Sequence, residues 1–409
     1  VSLTHGNFQS LLQNYDREVR QSAFQTYYKA YESHQYTYST LLAGSIKKDL
    51  FYSRAKNFSS YRAKALFSEN ISESVYDNLI ESVHQNFKPL YKYFDLRKRL
   101  LGVEELHAYD CSVPLVKNIK WHMPYEEAVE KIKISLQPLG AEYIKRVEQG
   151  LLKDRWTDRY ENKGKRSGAY SSGCYDSNPF ILMNYKDDNI NSVYTLTHEA
   201  GHSMHSLFSR ETQPYLYADY TIFVAEVAST FNESLLTKFF LSQDINPEMR
   251  IYLLCREIDN FRGTLYRQTM FAEFEHKVYE AAENNQPLTI ETFQEIYKSL
   301  LELYFGPGLV LDDCLSLECF RIPHFYFSFY VYKYATGISA AYALADRVLS
   351  GGNEELNDYL NFLKSGGSKY PIDLLKGAGV DMNSPEPVNT ALLKFSALVD
   401  ELESLTINN

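Results

Sequence analysis

Residues 194–206 read YTLTHEAGHSMHS, with two histidines four positions apart and a glutamate directly after the first. On a helix, positions i and i+4 are surface neighbours, so His198 and His202 can present their rings to one ion. Glu199 is turned about 100° away, so it can approach the open side of that ion without binding it. Two imidazoles holding zinc beside a carboxylate that activates water is the chemistry of the HExxH pattern. The competing reading is a solvated helix face that happens to carry histidines. Val193, Leu196, Ala200, Met204 and Leu207 form one apolar stripe of a helix expected over 191–208, with His198, His202 and His205 roughly opposite.

A catalytic zinc needs a third protein ligand. The positions that would complete a metzincin pattern hold His205 and Phe208, which excludes that class. The next helical run, TIFVAEVASTFNESLL, supplies Glu226 among Val224, Ala225, Val227 and Ala228, a poor setting for an unpaired carboxylate. An antiparallel pairing of the two helices puts His202 and Glu226 at nearly the same height. Packed helices lie about 8–10 Å apart, a gap that two side chains can close onto one ion. Glu233, seven residues on and on the same face, and His205 are candidates to orient the ligands. Their alternative is ordinary helix residues.

The chain of 409 residues is 44% hydrophobic and 23% charged, an ordinary globular composition. A net charge of −10 argues against nucleic acid or anionic lipid as the main partner. No apolar run approaches the about 18 residues that span a membrane. The five cysteines are scattered without CxxC spacing, which is reduced-thiol usage and points to the cytoplasm. The 34 tyrosines either pack between helices or line a cleft that is apolar and hydrogen-bonding together.

The pattern along the chain is mainly α. Residues 1–153 read as amphipathic helices. A Gly/Ser/Asn/Asp-rich stretch follows, in which GAYSSGCY and FILMNY read as two strands around a turn at Asp176–Pro179. They make a small antiparallel sheet within 165–186, directly before the histidine helix. Helices are expected again over 191–208, 221–241, 247–283, 291–304 and 323–349. The region 154–409 is thus expected to carry the catalytic groups, with 1–153 as part of the substrate-channel wall. Gly366 and Gly367 in KSGGSKYP read as an inter-helix turn, with a mobile loop over the cleft as the alternative.

A third segment, RIPHFYFSFYVYKYATGISAAYALADRV, opens with Pro323 at the first turn of a helix and His324 at its mouth. Tyr330 and Tyr334 share a face four residues apart. Either these rings pack in a core, or their O–H and N–H groups face the oxyanion of a tetrahedral intermediate.

Taken together, THEAGHSMHS, FVAEVASTFNE and RIPHFYFSFYVYKYATG resemble the oligoendopeptidase F family, within the group that includes thimet oligopeptidase. LTHGNFQSLLQNYDREVRQSAFQTYYKAY and GKRSGAYSSGCYDSNPFILMNY extend the resemblance over essentially the whole chain. It implies a multi-helix zinc-peptidase fold with one Zn2+ on His198, His202 and Glu226, and Glu199 as general base and acid. It also implies a transition-state set of His324, Tyr330 and Tyr334, with Tyr326 and Tyr332 as competitors for the tyrosine roles. The implied activity is endopeptidase hydrolysis of short unfolded peptides, with FILMNY able to pair with an extended substrate. Family members carry a further N-terminal helical lobe before the LTHGNF-like segment, which is expected here on a separate piece or removed. A zinc carboxypeptidase and a non-catalytic peptide binder or structural zinc protein are the alternatives, and no thiolate ligands favour the last.

Overall fold

Amphipathic runs separated by capping residues build the N-terminal part. Thr4 and Asp16 cap His5–Leu12 and Arg17–Glu32 by accepting backbone N–H groups, and Ser72 does the same for Glu73–Gln85. The computed structural model describes residues 2–117 and 119–407, and seventeen α-helices make up the architecture among them. Buried side chains form one continuous core that runs from Phe8 to Leu402. It includes Tyr76, Tyr93, Tyr125, Tyr297 and Tyr342, so many of the tyrosines are core packing.

The sheet expected before the histidine helix is present and is mixed rather than purely antiparallel. Tyr170–Ser172 and Phe180–Leu182 pair antiparallel, while Thr157–Asp158 adds to the other side of Phe180–Leu182 in parallel. Phe180–Leu182 is therefore the central strand. The substrate-pairing edge expected of FILMNY cannot lie there, because both of its edges are already bonded; Tyr170–Ser172 is an outer strand instead. The Gly-rich interruption near 305–313 forms a second, two-stranded pairing of Leu309–Val310 with Leu106–His107.

Three helices position the site. The histidine helix, Ile190–Thr212, starts where Asn189 accepts the Asn191 N–H. Of its apolar stripe, Val193, Leu196, Ala200 and Met204 are fully buried, as the spacing predicts, while Leu207 near its end is half-buried. The carboxylate helix, Ile222–Ser242, returns after a short loop that contains Pro214. The tyrosine helix, Tyr332–Ser350, packs on the carboxylate helix, and Gly337 lies next to Glu226.

The tyrosine helix begins nine residues later than the expected 323–349. Pro323–Tyr326 is a 3-10 turn, and Phe329 takes a left-handed φ of 56° before the helix opens. Hydrogen bonds from distant segments hold Ser328 and Phe329 out of the helix, which overrides a run of aromatics that itself has only middling helix propensity. Gly366 and Gly367 do form an inter-helix turn. Gly367 N–H donates to Tyr217 O at 2.8 Å, and a Cβ on Gly366 would stand 2.2 Å from that same oxygen. The turn is wedged against the loop between the histidine and carboxylate helices.

Candidate metal centre

His198, His202 and Glu226 each point one ligand atom at a common spot, and they are the one such group of three among the described residues. The two Nε2 atoms are 3.1 Å apart. Glu226 Oε2 lies 3.3 Å from His198 Nε2 and 3.6 Å from His202 Nε2. An ion held at about 2.0–2.1 Å with tetrahedral angles separates its ligands by about 3.3 Å. The triangle therefore fits zinc without rearrangement.

The charges ask for a cation as well. His198 faces Glu226 with one nitrogen and bonds Glu233 Oε1 with the other, Nδ1, at 2.6 Å. Burial would lower its pKa, but the bonds to the two carboxylates outweigh burial and raise it to about 10. Two carboxylates around one imidazole favour positive charge between them, which a divalent ion can supply in place of the proton. His202 is driven the other way, to about 4, by burial and by the neighbouring His198, so its lone pair is free near neutral pH. Glu226 is penalised by burial, yet the bond from His198 holds its carboxyl down at about 2.

Glu199 points elsewhere, as its 100° offset requires. It is 6% exposed, and its Oε2 has no hydrogen-bond partner. Burial lifts its carboxyl to about 6, a value suited to taking and returning a proton near neutrality. The neighbouring strand Tyr170–Ser172 is tied to this helix through Ser171 Oγ and Ser203 Oγ, 2.8 Å apart.

Glu233 contacts His198 Nδ1, and Arg256 backs it from 3.5 Å while its guanidinium stands over the Tyr194 ring. His205 is placed differently. It is 1% exposed, stacks on Tyr220 with 3.7 Å between ring centres and has Phe362 beside it. Its Nδ1 has no partner, so its surroundings are core, because other helices cover the side of the histidine helix that periodicity alone leaves open.

His324, Tyr330 and Tyr334 are brought together. The Tyr334 hydroxyl lies 3.5 Å from His324 Nε2 and 3.4 Å from the Tyr330 hydroxyl, and His324 stacks on Tyr330. One turn beyond Tyr334, a Cβ on Gly337 would touch Glu226 Cβ at 3.7 Å, so this face of the tyrosine helix looks toward the ligands. Burial lowers the His324 pKa and raises that of Tyr334, so both are neutral donors near pH 7. The competitors lie apart: Tyr332 is fully buried against Tyr76 and Phe223, and Tyr326 lies toward Tyr38 and Cys319.

Gly201 escaped the reading of the motif. A Cβ there would meet Ser229 Cα at 2.6 Å and Ala228 O at 2.7 Å. The histidine and carboxylate helices touch backbone to backbone at this residue, and that brings Glu226 within reach. The available signal was a glycine inside a helix, where it costs about 1 kcal/mol against alanine and calls for a packing reason.

This arrangement of helices has a counterpart among known proteins. The model of peptidase family M3 matches residues 10–393, and the chain belongs to that family. Within it, similarity is high to Oligopeptidase PepF of Bacillus subtilis, at 49% identity over 98% of this chain and 60% of the relative. The Oligoendopeptidase F homolog of Borreliella burgdorferi is 43% identical over 98% of this chain and 68% of the relative. The crystal structure of oligoendopeptidase-F from Enterococcus faecium superposes with a TM-score of 0.82 at 37% identity, over 100% of this chain and 67% of that one. The chain thus spans 60–68% of the length of these relatives.

Proposed function

We propose that the chain carries the catalytic machinery of a zinc-dependent endopeptidase that hydrolyses internal bonds of short, unfolded peptides. The observation that carries this reading is the ligand triangle of His198, His202 and Glu226, with the buried Glu199 on the same helix and one of its carboxylate oxygens, Oε2, without a partner. Three protein ligands leave a coordination position open, and zinc bound there would lower the pKa of water and polarise a carbonyl. Glu199 takes a proton from the attacking water and returns it to the leaving amine. Tyr334, Tyr330 and His324 donate hydrogen bonds to the carbonyl oxygen as negative charge develops on it. Glu233 holds the His198 ring by its Nδ1–H. An extended substrate adds to the outer edge of Tyr170–Ser172, which supplies backbone bonds without demanding particular side chains.

Among the described residues no helix is long and apolar enough to cross a membrane. The five cysteines are free, which fits a cytoplasmic setting. An internally quenched peptide of about ten residues, incubated with and without a zinc chelator and read by product mass, tests the proposal. Internal cuts that stop with chelator are expected. Removal of single C-terminal residues would instead mark a carboxypeptidase, and zinc binding without cleavage a binding protein.

A further inference from the structure

The segment Phe327–Val331 joins the 3-10 turn of His324 to the tyrosine helix, and Tyr330 stands within it. Its middle residue, Phe329, has φ 56°, a region that non-glycine residues adopt only where their surroundings over-determine it. Those surroundings come from far away in sequence. The Phe329 N–H donates to Glu275 Oε1 at 2.9 Å, and its ring sits among Tyr61, Tyr76 and Tyr279. The Ser328 hydroxyl donates to Asp49 Oδ2 at 2.9 Å, where the Tyr279 hydroxyl also binds.

Glu275 is the unusual member. It is 3% exposed, no ion pair holds it among the described residues, and its second oxygen has no partner. Burial drives its carboxyl well above the usual range, so it sits in the core as a neutral acid. A leucine would fill that space without stranding a polar atom. What the carboxyl does that leucine cannot is capture one backbone amide, and that amide belongs to the residue before Tyr330.

We propose that Glu275 is a positioning residue: by holding the Phe329 amide it fixes the left-handed bend that aims the Tyr330 hydroxyl into the set with His324 and Tyr334. This rests on the reading above, in which those donors face the reacting carbonyl. It extends that site into a helix, Arg267–Glu283, that carries none of the site residues.

The test uses the zinc-loaded chain with Glu275→Leu, Glu275→Gln, Tyr330→Phe and the double variant Glu275→Leu/Tyr330→Phe. Zinc content, hydrogen exchange of the 327–331 amides, kcat and KM are measured for each. Glu275→Leu is expected to speed that exchange at least about 10-fold and to lower kcat about 10–100-fold, with zinc content and KM nearly unchanged. Glu275→Gln keeps the acceptor and restores both readouts. The double variant falls no further than Tyr330→Phe alone, because Glu275 acts through that hydroxyl. Multiplying losses, unchanged exchange, or a Gln variant as damaged as Leu would each overturn the proposal. Should Glu275→Leu fail to fold, Glu275→Asp draws the carboxyl back from the amide and is expected to show the same pattern at smaller amplitude. If the unaltered chain binds zinc yet cleaves nothing, the peptidase reading falls, while the exchange comparison still decides whether Glu275 holds the bend.

Discussion

His198 and His202 stand on one unbroken helix, whereas His324, Tyr330 and Tyr334 come from a 3-10 turn, a left-handed bend and the start of another helix. The first pair is placed by helical geometry, since any i, i+4 pair meets on one face. The second set is placed by hydrogen bonds that Ser328 and Phe329 donate to Asp49 and Glu275, residues 279 and 54 positions away in sequence. A metal triangle must be right to within tenths of an ångström, and a helix pair in backbone contact gives that rigidity. A set of donors that closes on a developing charge can be mounted on a loop, provided distant residues hold the loop still.

The largest effect that separates the two regions is expected at Glu199. Glu199→Gln leaves the His198–His202–Glu226 triangle intact and removes the proton carrier. The expected loss in kcat is about 10²–10⁴-fold with zinc content unchanged, read by peptide turnover beside metal analysis. Retained turnover would remove Glu199 from the chemistry and leave the metal triangle as the helix pair's whole contribution.

Next comes the contact that makes the helix pair rigid. Gly201→Ala places a methyl 2.6 Å from Ser229 Cα, where backbone must move. The expected cost is about 1–3 kcal/mol of stability by urea denaturation of the metal-free chain. Zinc affinity also falls, because Glu226 is pushed away from the two histidines. A variant with unchanged stability and affinity would mean that the two helices tolerate separation, and the rigidity assigned to this region would be wrong.

This contrast also explains how much of the molecule the sequence alone reveals. The HExxH pair, the carboxylate seven residues before Glu233, and the apolar stripe Val193–Met204 all follow from periodicity, and they lie where periodicity puts them. The hairpin of Tyr170–Ser172 and Phe180–Leu182 was legible from turn residues, but its third strand was not, since Thr157–Asp158 is too short to carry a pattern. The bend at Phe329 was invisible because nothing local demands it. A run of aromatic residues reads as helix, and only Asp49 and Glu275, supplied by the tertiary fold, say otherwise. His205 failed for a related reason: a helical wheel assigns it to the open side, and the helix that covers that side appears only when Phe362 is in place.

Glu233 tests how far the helix-borne region extends beyond its ligands. Glu233→Gln keeps an acceptor for His198 Nδ1–H and removes the charge, while Glu233→Ala removes both. Zinc affinity by chelator competition is expected to drop about 10–100-fold in the Ala variant and less in the Gln variant. Equal losses would show that charge, not orientation, is what Glu233 contributes. No loss in either would leave its 2.6 Å contact without consequence for the metal.

The smallest effect concerns His205, the histidine of the motif helix that lies in the core. Burial lowers its pKa from 6.5 to about 3, so the folded chain keeps it neutral where the unfolded chain would protonate it. The stability this contributes is complete above about pH 6.5. It is lost at about 1.4 kcal/mol per pH unit as pH falls from there toward the folded value. His205→Phe keeps the stack on Tyr220 and removes the titration. Urea midpoints at pH 7.5 and 5.5, with chelator present to take the metal out of the comparison, are expected to fall more for the unaltered chain than for the variant. The difference between the two drops should be about 1.4 kcal/mol. Equal drops would show that His205 takes up its proton without leaving the core, against the stack on Tyr220 and the partnerless Nδ1.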